Sequence, residues 1–175
     1  MGPRSRRRGR NVTVELAIIS DTHIPRGERR LPEECIARLR NADLILHAGD
    51  LVTLPVLAEL QGYGEVVAVH GNVDDLHVRQ VLPERRVLEV DGARIGVVHD
   101  AGAGSGRLNR MRRLFPGADA VVFGHSHIPL HERAEDGFQI FNPGSPTERR
   151  RAPRHTMGMA TVRAGNVAFE LLALD

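Results

Sequence analysis

Five short apolar runs along the chain each end in a side chain that can bind a metal, and this recurrence constrains the fold most strongly. The runs and their ends read "AIISDTH", "LILHAGD", "VVAVHGN", "IGVVHD" and "VVFGHSH". Runs rich in Val, Ile and Leu, bounded by Gly, Asp and Asn, are typical of buried strands. Because ligands gather at the carboxyl ends of strands in α/β sheets, we expect the polar residues that end these runs to meet at one edge.

The segments between these runs have helical patterns. We predict helices in "LPEECIARLRNA", "LPVLAELQG" and "SGRLNRMRRLF", the last with Ser105 as a possible N-cap and Leu108, Met111 and Phe115 on one face. The segment "RRVLEVDGARIGVVHD" is typical of a hairpin that turns at Asp91-Gly92, and two further hairpins are predicted after residue 129. The pattern predicts an α/β fold with parallel strands early in the chain and antiparallel pairs late.

Composition limits the class of protein. With 175 residues, 41% of them hydrophobic and 26% charged, the chain fits one globular domain, which we place at residues 12–175. No apolar run approaches the roughly 20 residues of a membrane span, so we expect no membrane partner. The lone cysteine, Cys35, excludes an internal disulfide and favours a reducing compartment, so we expect a cytoplasmic protein.

Arginine supplies all 24 basic residues, and five of them fall in residues 1–11, which we predict to be a disordered tail. This tail could contact nucleic acid, although a solvated run of charge is the more ordinary explanation. Five Phe, one Tyr and no Trp leave few side chains for stacking on bases, so nucleic-acid binding is only weakly supported. The oligomeric state is open.

The residues that end the five runs form a candidate metal site. A single Asp or His at the end of a strand has an ordinary structural explanation, but chance explains poorly why all five runs end this way. Carboxylate, amide and imidazole ligands together suit Mn, Fe, Zn or Ni rather than calcium. Seven ligands exceed what one ion takes, so we predict two divalent ions, bridged by Asp50. The predicted ligands are Asp21, His23, Asp50, Asn72, His99, His125 and His127.

The charge of such a site indicates a substrate class. Two divalent ions, two carboxylates and one hydroxide leave about one positive charge. A phosphodiester carries about one negative charge, so the balance favours a phosphorylated small molecule or nucleotide as substrate. Among such substrates, a phosphodiester matches the charge of the site.

The motifs "SDTH", "HAGD", "GNVD", the late "VH", "GHSH" and "NPGS" occur in the order seen in the calcineurin-like metallophosphoesterase superfamily, which the chain resembles from about residue 12 onward. The likeness is greatest to the small single-domain phosphodiesterase branch, which is related to the phosphoesterase-like subunit of retromer. The resemblance implies a four-layer α/β/β/α sandwich of two mixed sheets flanked by helices. It also implies a phosphodiesterase that attacks through a hydroxide activated by two metals, for which we expect Asp50 and Asn72 to be catalytic residues.

The resemblance also implies a division of the ligands between two metals. Asp21, His23, Asp50 and His127 would bind the first ion, and Asp50, Asn72, His99 and His125 would bind the second. The chain departs from the pattern at two positions. Val73 stands where larger members have a histidine that assists catalysis, so no residue is assigned to protonate the leaving group. Asp100 stands where we expect glycine; it could orient a histidine ligand or face water.

Three other functions remain open on sequence grounds. The "AGAGSGR" segment could bind a dinucleotide phosphate at a helix start, although its glycine spacing differs from the G-x-G-x-x-G fingerprint. A non-catalytic interaction scaffold of the same fold is possible, and so is a nuclease or nucleotide hydrolase.

The arginines after "NPGS" could steer anionic substrates or be solvated: Arg149, Arg150, Arg151 and Arg154. His47 could lie behind the ligands.

Overall fold

The computed structural model describes residues 12–175 of the chain, and the predicted tail at residues 1–11 lies outside them. Ten strands form two five-stranded mixed sheets. The first sheet has the order β10-β9-β1-β2-β3, and its strands span Val14–Ile19 (β1), Leu44–His47 (β2), Val66–Ala68 (β3), Thr156–Arg163 (β9) and Asn166–Ala173 (β10). The second has the order β4-β5-β6-β8-β7, with strands Arg85–Val90 (β4), Ala93–Val98 (β5), Ala120–Val122 (β6), Leu130–Arg133 (β7) and Gln139–Asn142 (β8).

Four helices lie between these strands in residues 12–175, and three of them cover the outer faces of the sheets. They span Glu33–Asn41 (α1), Leu54–Tyr63 (α2), Leu76–Val81 (α3) and Arg107–Leu114 (α4). Helices α1 and α2 bury apolar side chains against the first sheet, and α4 packs on the second. The α/β class and the four-layer α/β/β/α sandwich are therefore confirmed. Among the described residues, no helix combines the length and the apolar character needed to cross a bilayer.

The alternation of side chains along the strands explains the layering. In β1, Leu16 and Ile18 join the core between the two sheets, whereas Ala17 and Ile19 pack under the helices. Both faces of the strand are buried, which is why its sequence is a continuous apolar run rather than an alternating one. Cys35 packs on this sheet from α1, and burial raises the pKa of its thiol to about 12, as expected of a structural cysteine.

The strand directions were predicted only in part. Strands β1, β2 and β3 are parallel, and the predicted hairpins β4-β5, β7-β8 and β9-β10 are antiparallel. Asp91 and Gly92 both have positive φ, as a two-residue hairpin turn requires. However, β5, β6 and β8 are also parallel, so parallel pairing extends into the late part of the chain. Both sheets therefore have parallel strands at their centres, and ligand-bearing ends can come from each.

The predicted N-cap of α4 is wrong. Gly106, in a left-handed conformation, precedes the helix in place of Ser105, and no side chain caps it. The guanidinium of Arg110 binds the carbonyl oxygens of Ala101, Ala103 and Ser105, so the preceding loop wraps around this side chain. These tertiary contacts, rather than a local cap, fix where the helix begins. The predicted apolar face is correct, since Leu108, Met111 and Phe115 pack together on the second sheet.

Candidate metal centre

The seven predicted ligands lie together where five strands end. Neighbouring pairs among them approach to between 3.0 and 3.9 Å, and these contacts connect all seven into one cluster. The cluster contains residues that follow β1, β2 and β3 of the first sheet and β5 and β6 of the second. The centre therefore spans the edges of both sheets, and its members are Asp21, His23, Asp50, Asn72, His99, His125 and His127.

Five of these seven residues adopt a left-handed backbone that side chains other than glycine seldom take. The φ angles lie between 47° and 69° at Asp21, His23, Asp50, His125 and His127. These residues lie in the loops that follow β1, β2 and β6, where the left-handed backbone turns the chain across the sheet edge. Such conformations cost free energy and persist where surrounding contacts hold them, which is typical of functional sites.

The first group consists of Asp21, His23 and His127, whose potential ligand atoms all lie within 4.8 Å of one another. Nε2 of His127 is 3.5 Å from Oδ1 of Asp21, and Nε2 of His23 is 3.9 Å from the same oxygen. All three residues are at most 3% exposed. Two imidazole nitrogens and one carboxylate oxygen therefore face a common point that is closed to water.

The second group consists of Asp50, His99 and His125, also with ligand atoms within 4.8 Å of one another. Nε2 of His99 lies 3.1 Å from Oδ2 of Asp50. The side-chain oxygen of Asn72 is 3.0 Å from Nε2 of His99 and 3.0 Å from Nδ1 of His125. Asn72 is exposed and His125 is partly exposed, so this group faces the open side of the centre.

Asp50 connects the two groups. Its Oδ2 is 3.5 Å from Nε2 of His23 in the first group as well as 3.1 Å from His99 in the second. Asp21 makes the longer reciprocal approach, 3.9 Å from Nε2 of His99. The carboxylate of Asp50 therefore lies between the two groups.

Backbone carbonyls orient two of the imidazoles. Nδ1 of His99 donates to the carbonyl oxygen of Ala48 at 2.8 Å, and Nδ1 of His127 donates to that of Glu148 at 2.6 Å. A carbonyl oxygen can only accept, so each bond keeps a proton on Nδ1 and directs Nε2 toward the centre as the atom available to bind a metal. This is the arrangement by which proteins prepare histidine to bind a metal.

Two buried nitrogens of the first group have no partner among the described residues. They are Nε2 of His23 and Nε2 of His127. Leaving a buried polar atom unpaired costs about 1–3 kcal/mol, so such atoms call for an explanation. A divalent cation between these nitrogens and the carboxylate of Asp21 would satisfy both, and imidazole and carboxylate are suitable ligands for transition metals. The residues present therefore fit a metal.

The electrostatic contacts shift the pKa of several groups in the metal-free protein. Burial tends to raise the pKa of Asp50, but contacts with His99, Val73 and His23 outweigh it and hold the value at about 2. Burial tends to lower the pKa of His99, but the carboxylates of Asp50 and Asp21 raise it overall. The pKa of His127 is lowered, mainly by burial. A metal in the second group would therefore compete with the proton that Asp50 and Asp21 favour on His99.

Sequence analysis missed Asp74, a buried carboxylate behind the centre. It accepts hydrogen bonds from the backbone N–H groups of Asp50 at 3.0 Å, Val52 at 2.6 Å and Gly71 at 2.6 Å. It therefore ties the loop after β2 to the loop after β3. The signal was present in the motif "GNVD", whose last residue is Asp74, but its role depends on contacts across the sheet that a single sequence does not reveal.

His47 makes a similar connection between the loops after β1 and β2. Its Nδ1 accepts from the backbone N–H of Gly49, so its Nε2 carries the proton and donates to the hydroxyl of Thr22, each at 3.1 Å. Thr22 stands between two predicted ligands, and Gly49 precedes a third. Burial lowers the pKa of His47 to about 4, which keeps the ring neutral. The suggestion that His47 lies behind the ligands agrees with this position.

Two glycines make room for the carboxylates. A Cβ atom at Gly71 would lie 2.1 Å from Oδ1 of Asp50, and one at Gly124 would lie 2.6 Å from Oδ2 of Asp21. Neither contact is possible without moving the carboxylate. The glycines of "GN" and "GHSH" are therefore required because a side chain would occupy the space of a predicted ligand.

The structure corrects one hypothesis about this region and explains another departure. Asp100 does not orient a histidine: its carboxylate accepts from the backbone N–H of Gly102 at 2.7 Å, and Ala48 orients His99. The side chain of Val73 has no polar group, but its backbone N–H donates to Oδ1 of Asp50 at 2.9 Å. Position 73 thus contributes to the centre through its backbone.

The glycine-rich segment is poorly arranged for a dinucleotide. Its carbonyl oxygens at Ala101, Ala103 and Ser105 point at Arg110 within the loop. A phosphate site at a helix start instead needs free N–H groups directed outward. Dinucleotide binding therefore finds no support in the geometry.

Comparisons with known proteins agree with this architecture. The chain matches the calcineurin-like phosphoesterase superfamily domain over residues 14–165. A probable metallophosphoesterase from Methanothermobacter thermautotrophicus is 38% identical over 134 residues, which are 75% of this chain and 77% of that protein. A phosphodiesterase from Methanocaldococcus jannaschii is 24% identical over 143 residues, which are 75% of this chain and 83% of that protein.

Solved structures share the fold. The solution NMR structure of a Thermotoga maritima protein has a TM-score of 0.73 and 31% identity, and the match covers 92% of this chain and 99% of that one. Vps29 from Entamoeba histolytica, in complex with zinc, has a TM-score of 0.69 and 21% identity, with coverage of 92% and 99%. The second likeness, at this identity, concerns the fold alone.

Proposed function

The chain belongs to the calcineurin-like phosphoesterase superfamily, and from this premise we propose that it is a metal-dependent phosphodiesterase with a binuclear centre. The observation that carries the proposal is the pair of ligand groups joined by Asp50, with two buried imidazole nitrogens that have no partner within residues 12–175. One ion would be held by Asp21, His23, Asp50 and His127. The other would be held by Asp50, Asn72, His99 and His125.

Divalent ions bound there would activate a water molecule for attack on phosphorus and neutralise charge on the phosphoryl oxygens. The chain's own residues prepare the centre for this chemistry. The carbonyl oxygens of Ala48 and Glu148 hold the rings of His99 and His127 so that Nε2 of each ring is directed at the centre. The low pKa of Asp50 keeps its carboxylate ionised at neutral pH, which is the state a bridging ligand needs.

A phosphodiester fits the charge of this centre better than a phosphomonoester. Asp21 and Asp50 are the only carboxylates in the two groups, so two divalent ions retain about one surplus positive charge once a hydroxide nucleophile is counted. This surplus balances a diester, which carries one negative charge, but not a monoester dianion. The name of the phosphodiesterase relative from Methanocaldococcus jannaschii supports the same choice.

The leaving group needs a proton that the side chain of Val73 cannot supply. We propose that solvent supplies it, because the second group lies on the open side of the centre, with Asn72 exposed. Substrates whose leaving groups are already weak bases should then react fastest. The metal could be Mn, Fe, Zn or Ni on the basis of its ligands; Vps29 of the same fold binds zinc, which supports zinc as one candidate.

The decisive experiment measures hydrolysis by purified protein that has been stripped with a chelator and reloaded with Mn²⁺ or Zn²⁺. Bis(4-nitrophenyl) phosphate and 4-nitrophenyl phosphate serve as diester and monoester. We expect metal-dependent release of nitrophenol, with kcat/KM for the diester at least about tenfold above that for the monoester. Preference for the monoester would contradict the assignment to diesters.

A matched pair of asparagine variants distinguishes loss of a ligand in the centre from a general effect of replacing an asparagine. Asn72→Ala removes an oxygen from the second group and should lower kcat by about a hundredfold or more. Asn41→Ala, at the end of α1, loses only a bond to the carbonyl oxygen of Ala37 on the helix surface and should keep full activity. Equal activity of the two variants would remove Asn72 from the proposed centre.

The main alternative is a non-catalytic interaction scaffold, which the likeness to Vps29 supports. Retention of metal-binding side chain types at all seven predicted positions favours the enzyme. If the metal-loaded protein hydrolysed neither ester, the scaffold would become the better explanation. A nuclease would be recognised by cleavage of an oligonucleotide with a steep dependence on salt.

A further inference from the structure

The segment that follows "NPGS" is bonded directly to the loops of the candidate metal centre. The hydroxyl of Ser145 donates to the carbonyl oxygen of Asp21 at 2.8 Å, and that of Thr147 donates to the carbonyl oxygen of Thr22 at 2.6 Å. In return, the carbonyl oxygen of Glu148 accepts from His127. These bonds hold residues 145–148 against the first ligand group, so the arginines that follow are held near it as well.

A tight turn then presents two of these arginines. The backbone N–H of Ala152 donates to the carbonyl oxygen of Arg149 at 2.8 Å, and the side chain of Ala152 is buried. Arg150 stands inside the turn with a left-handed φ of 47°, and its guanidinium donates to the carbonyl oxygen of His125 at 3.3 Å. Arg150 is therefore fixed by its backbone and its side chain beside a predicted ligand.

Arg150 and Arg151 line an open cleft of about 530 Å³ together with Ser126 and Ile128. Ser126 lies between the two histidines of "GHSH", so the cleft begins next to both ligand groups. A volume of this size falls in the range of small-molecule sites. Ile128, which is 38% exposed, offers the cleft an apolar surface.

The charge of this cleft is uncompensated. Among the described residues, no carboxylate lies within 4.0 Å of the guanidinium of Arg150 or Arg151, whereas the nearby Glu148 is paired with Arg29 at 3.2 Å. The centre itself would add positive charge when metal is bound. An anion in the cleft would therefore be attracted by both arginines and by the metals beside them.

We propose that this cleft, lined by Ser126, Ile128, Arg150 and Arg151, binds an anionic arm of the substrate. The inference rests on the proposed phosphodiesterase function and narrows it. A phosphodiester has two ester arms, and the arm in the cleft carries a second negative group, a carboxylate or a phosphate, that binds the arginines. The enzyme should therefore prefer diesters with a charged second arm over diesters with a neutral one.

The lining of the cleft favours a small molecule over a nucleic-acid strand. Binding of single strands relies on aromatic side chains on which successive bases stack. The four residues of the cleft include no aromatic side chain. An oligothymidylate is therefore included in the experiment, and its cleavage in preference to the small diesters would overturn the proposal in favour of a nuclease.

The experiment compares two 4-nitrophenyl alkyl phosphodiesters that differ only at the end of the alkyl arm, a carboxylate in one and an alcohol in the other. Because the leaving group is the same, differences report on the second arm. For the metal-loaded protein we expect kcat/KM to be about tenfold higher for the carboxylate ester, mainly through KM. Equal values for the two esters would contradict the proposal.

Three glutamine variants test which arginines cause the preference for the carboxylate ester. Arg150→Gln and Arg151→Gln should each reduce the ratio between the two esters toward one, and Arg151 is a useful second site because its guanidinium does not anchor the turn. Arg154→Gln removes the same charge from the same segment but outside the cleft, and should keep the ratio. If Arg154→Gln reduced the ratio as strongly, general electrostatic steering would replace the specific site.

A binding measurement keeps the inference separate from the proposed activity. Calorimetry on the metal-loaded protein with the two corresponding alkyl 4-nitrobenzylphosphonates, in which a P–C bond replaces the scissile P–O bond, should show about tenfold tighter binding of the carboxylate form. This result without turnover would retain the anion site and reject the phosphodiesterase. Turnover of both esters with equal affinity for both phosphonates would retain the phosphodiesterase and reject the anion site.

Discussion

Oδ2 of Asp50 lies 3.1 Å from Nε2 of His99, although the two residues come from different sheets. In the metal-free protein this contact pairs a carboxylate whose pKa is held at about 2 with an imidazole whose pKa is raised. A proton on His99 therefore occupies the position that the proposed metal would take. The same contact that assembles the centre also makes metal and proton compete.

This competition predicts a pH dependence of metal binding. His99 must lose its proton to become a ligand, and its raised pKa means that the proton is retained to higher pH than in the unfolded chain. Mn²⁺ affinity measured by calorimetry should fall by about tenfold per pH unit below the pKa of His99, with release of a proton on binding. Affinity that stays constant from pH 8 to pH 5.5 would contradict the assignment of His99 as a ligand.

A second pH effect concerns the stability of the metal-free fold. The native state keeps His47 neutral down to about pH 4, whereas the unfolded chain protonates it near 6.5. Between these values the unfolded state binds more protons, so His47 destabilises the fold as the pH falls, by about 3 kcal/mol in total. His99 has the opposite effect on stability. Because its pKa is raised in the native state, it stabilises the fold as the pH falls.

The contribution of His47 is therefore measured as the difference between the pH profiles of stability of the wild type and of a His47 variant. Urea unfolding in the presence of a chelator should show a steeper loss of stability between pH 6.5 and pH 4 for the wild type than for His47→Gln. His77→Gln, at an exposed position in α3, serves as the control and should follow the wild type. Parallel pH profiles for the wild type and His47→Gln would show that burial does not shift this histidine.

Asp74 should be required for the geometry of the centre. Asp74→Asn replaces one acceptor oxygen by an amide group that faces backbone donors, so at least one of three buried N–H groups loses its partner. We expect a loss of about 1–3 kcal/mol in the free energy of unfolding, together with weaker metal binding. Asp75→Asn is the matched control, because asparagine caps a helix as well as aspartate does at that position.

Asp100 should be dispensable for the metals. Its carboxylate caps the loop at Gly102 and is exposed, so Asp100→Gly should leave Mn²⁺ affinity within about twofold of the wild type. Calorimetry on the two proteins provides the comparison. A tenfold weaker affinity in the variant would restore the hypothesis that Asp100 orients a ligand, against the contacts seen for His99.

The sequence was most informative where the chemistry is local. Continuous apolar runs predict buried strands, and the polar residues that end the runs predict the loops that follow those strands. Asp91-Gly92 predicts its own turn because both positions adopt positive φ. The position of the candidate centre follows from these local signals together with the rule that parallel strands end at a common edge.

Contacts between segments that are far apart in the sequence could not be predicted from these local signals. Helix α3 was missed because six residues are too few to show a periodic pattern, and only the N-cap Asp75 marks its start. Asp74 and Glu148 act on the centre through bonds to other loops. The role of Arg150 depends on a turn that only the folded chain brings beside His125. The sequence around each of these residues does not show which distant loop it contacts.

The number of metal ions per chain tests the central claim most directly. Elemental analysis of Mn²⁺-loaded protein should give about two ions in the wild type and in the exposed-site control His77→Ala. The double variants His23→Ala/His127→Ala and His99→Ala/His125→Ala should each retain about one ion, because each removes one ligand group. A wild type that binds a single ion, or a complete loss of metal in both double variants, would contradict a centre built from two groups.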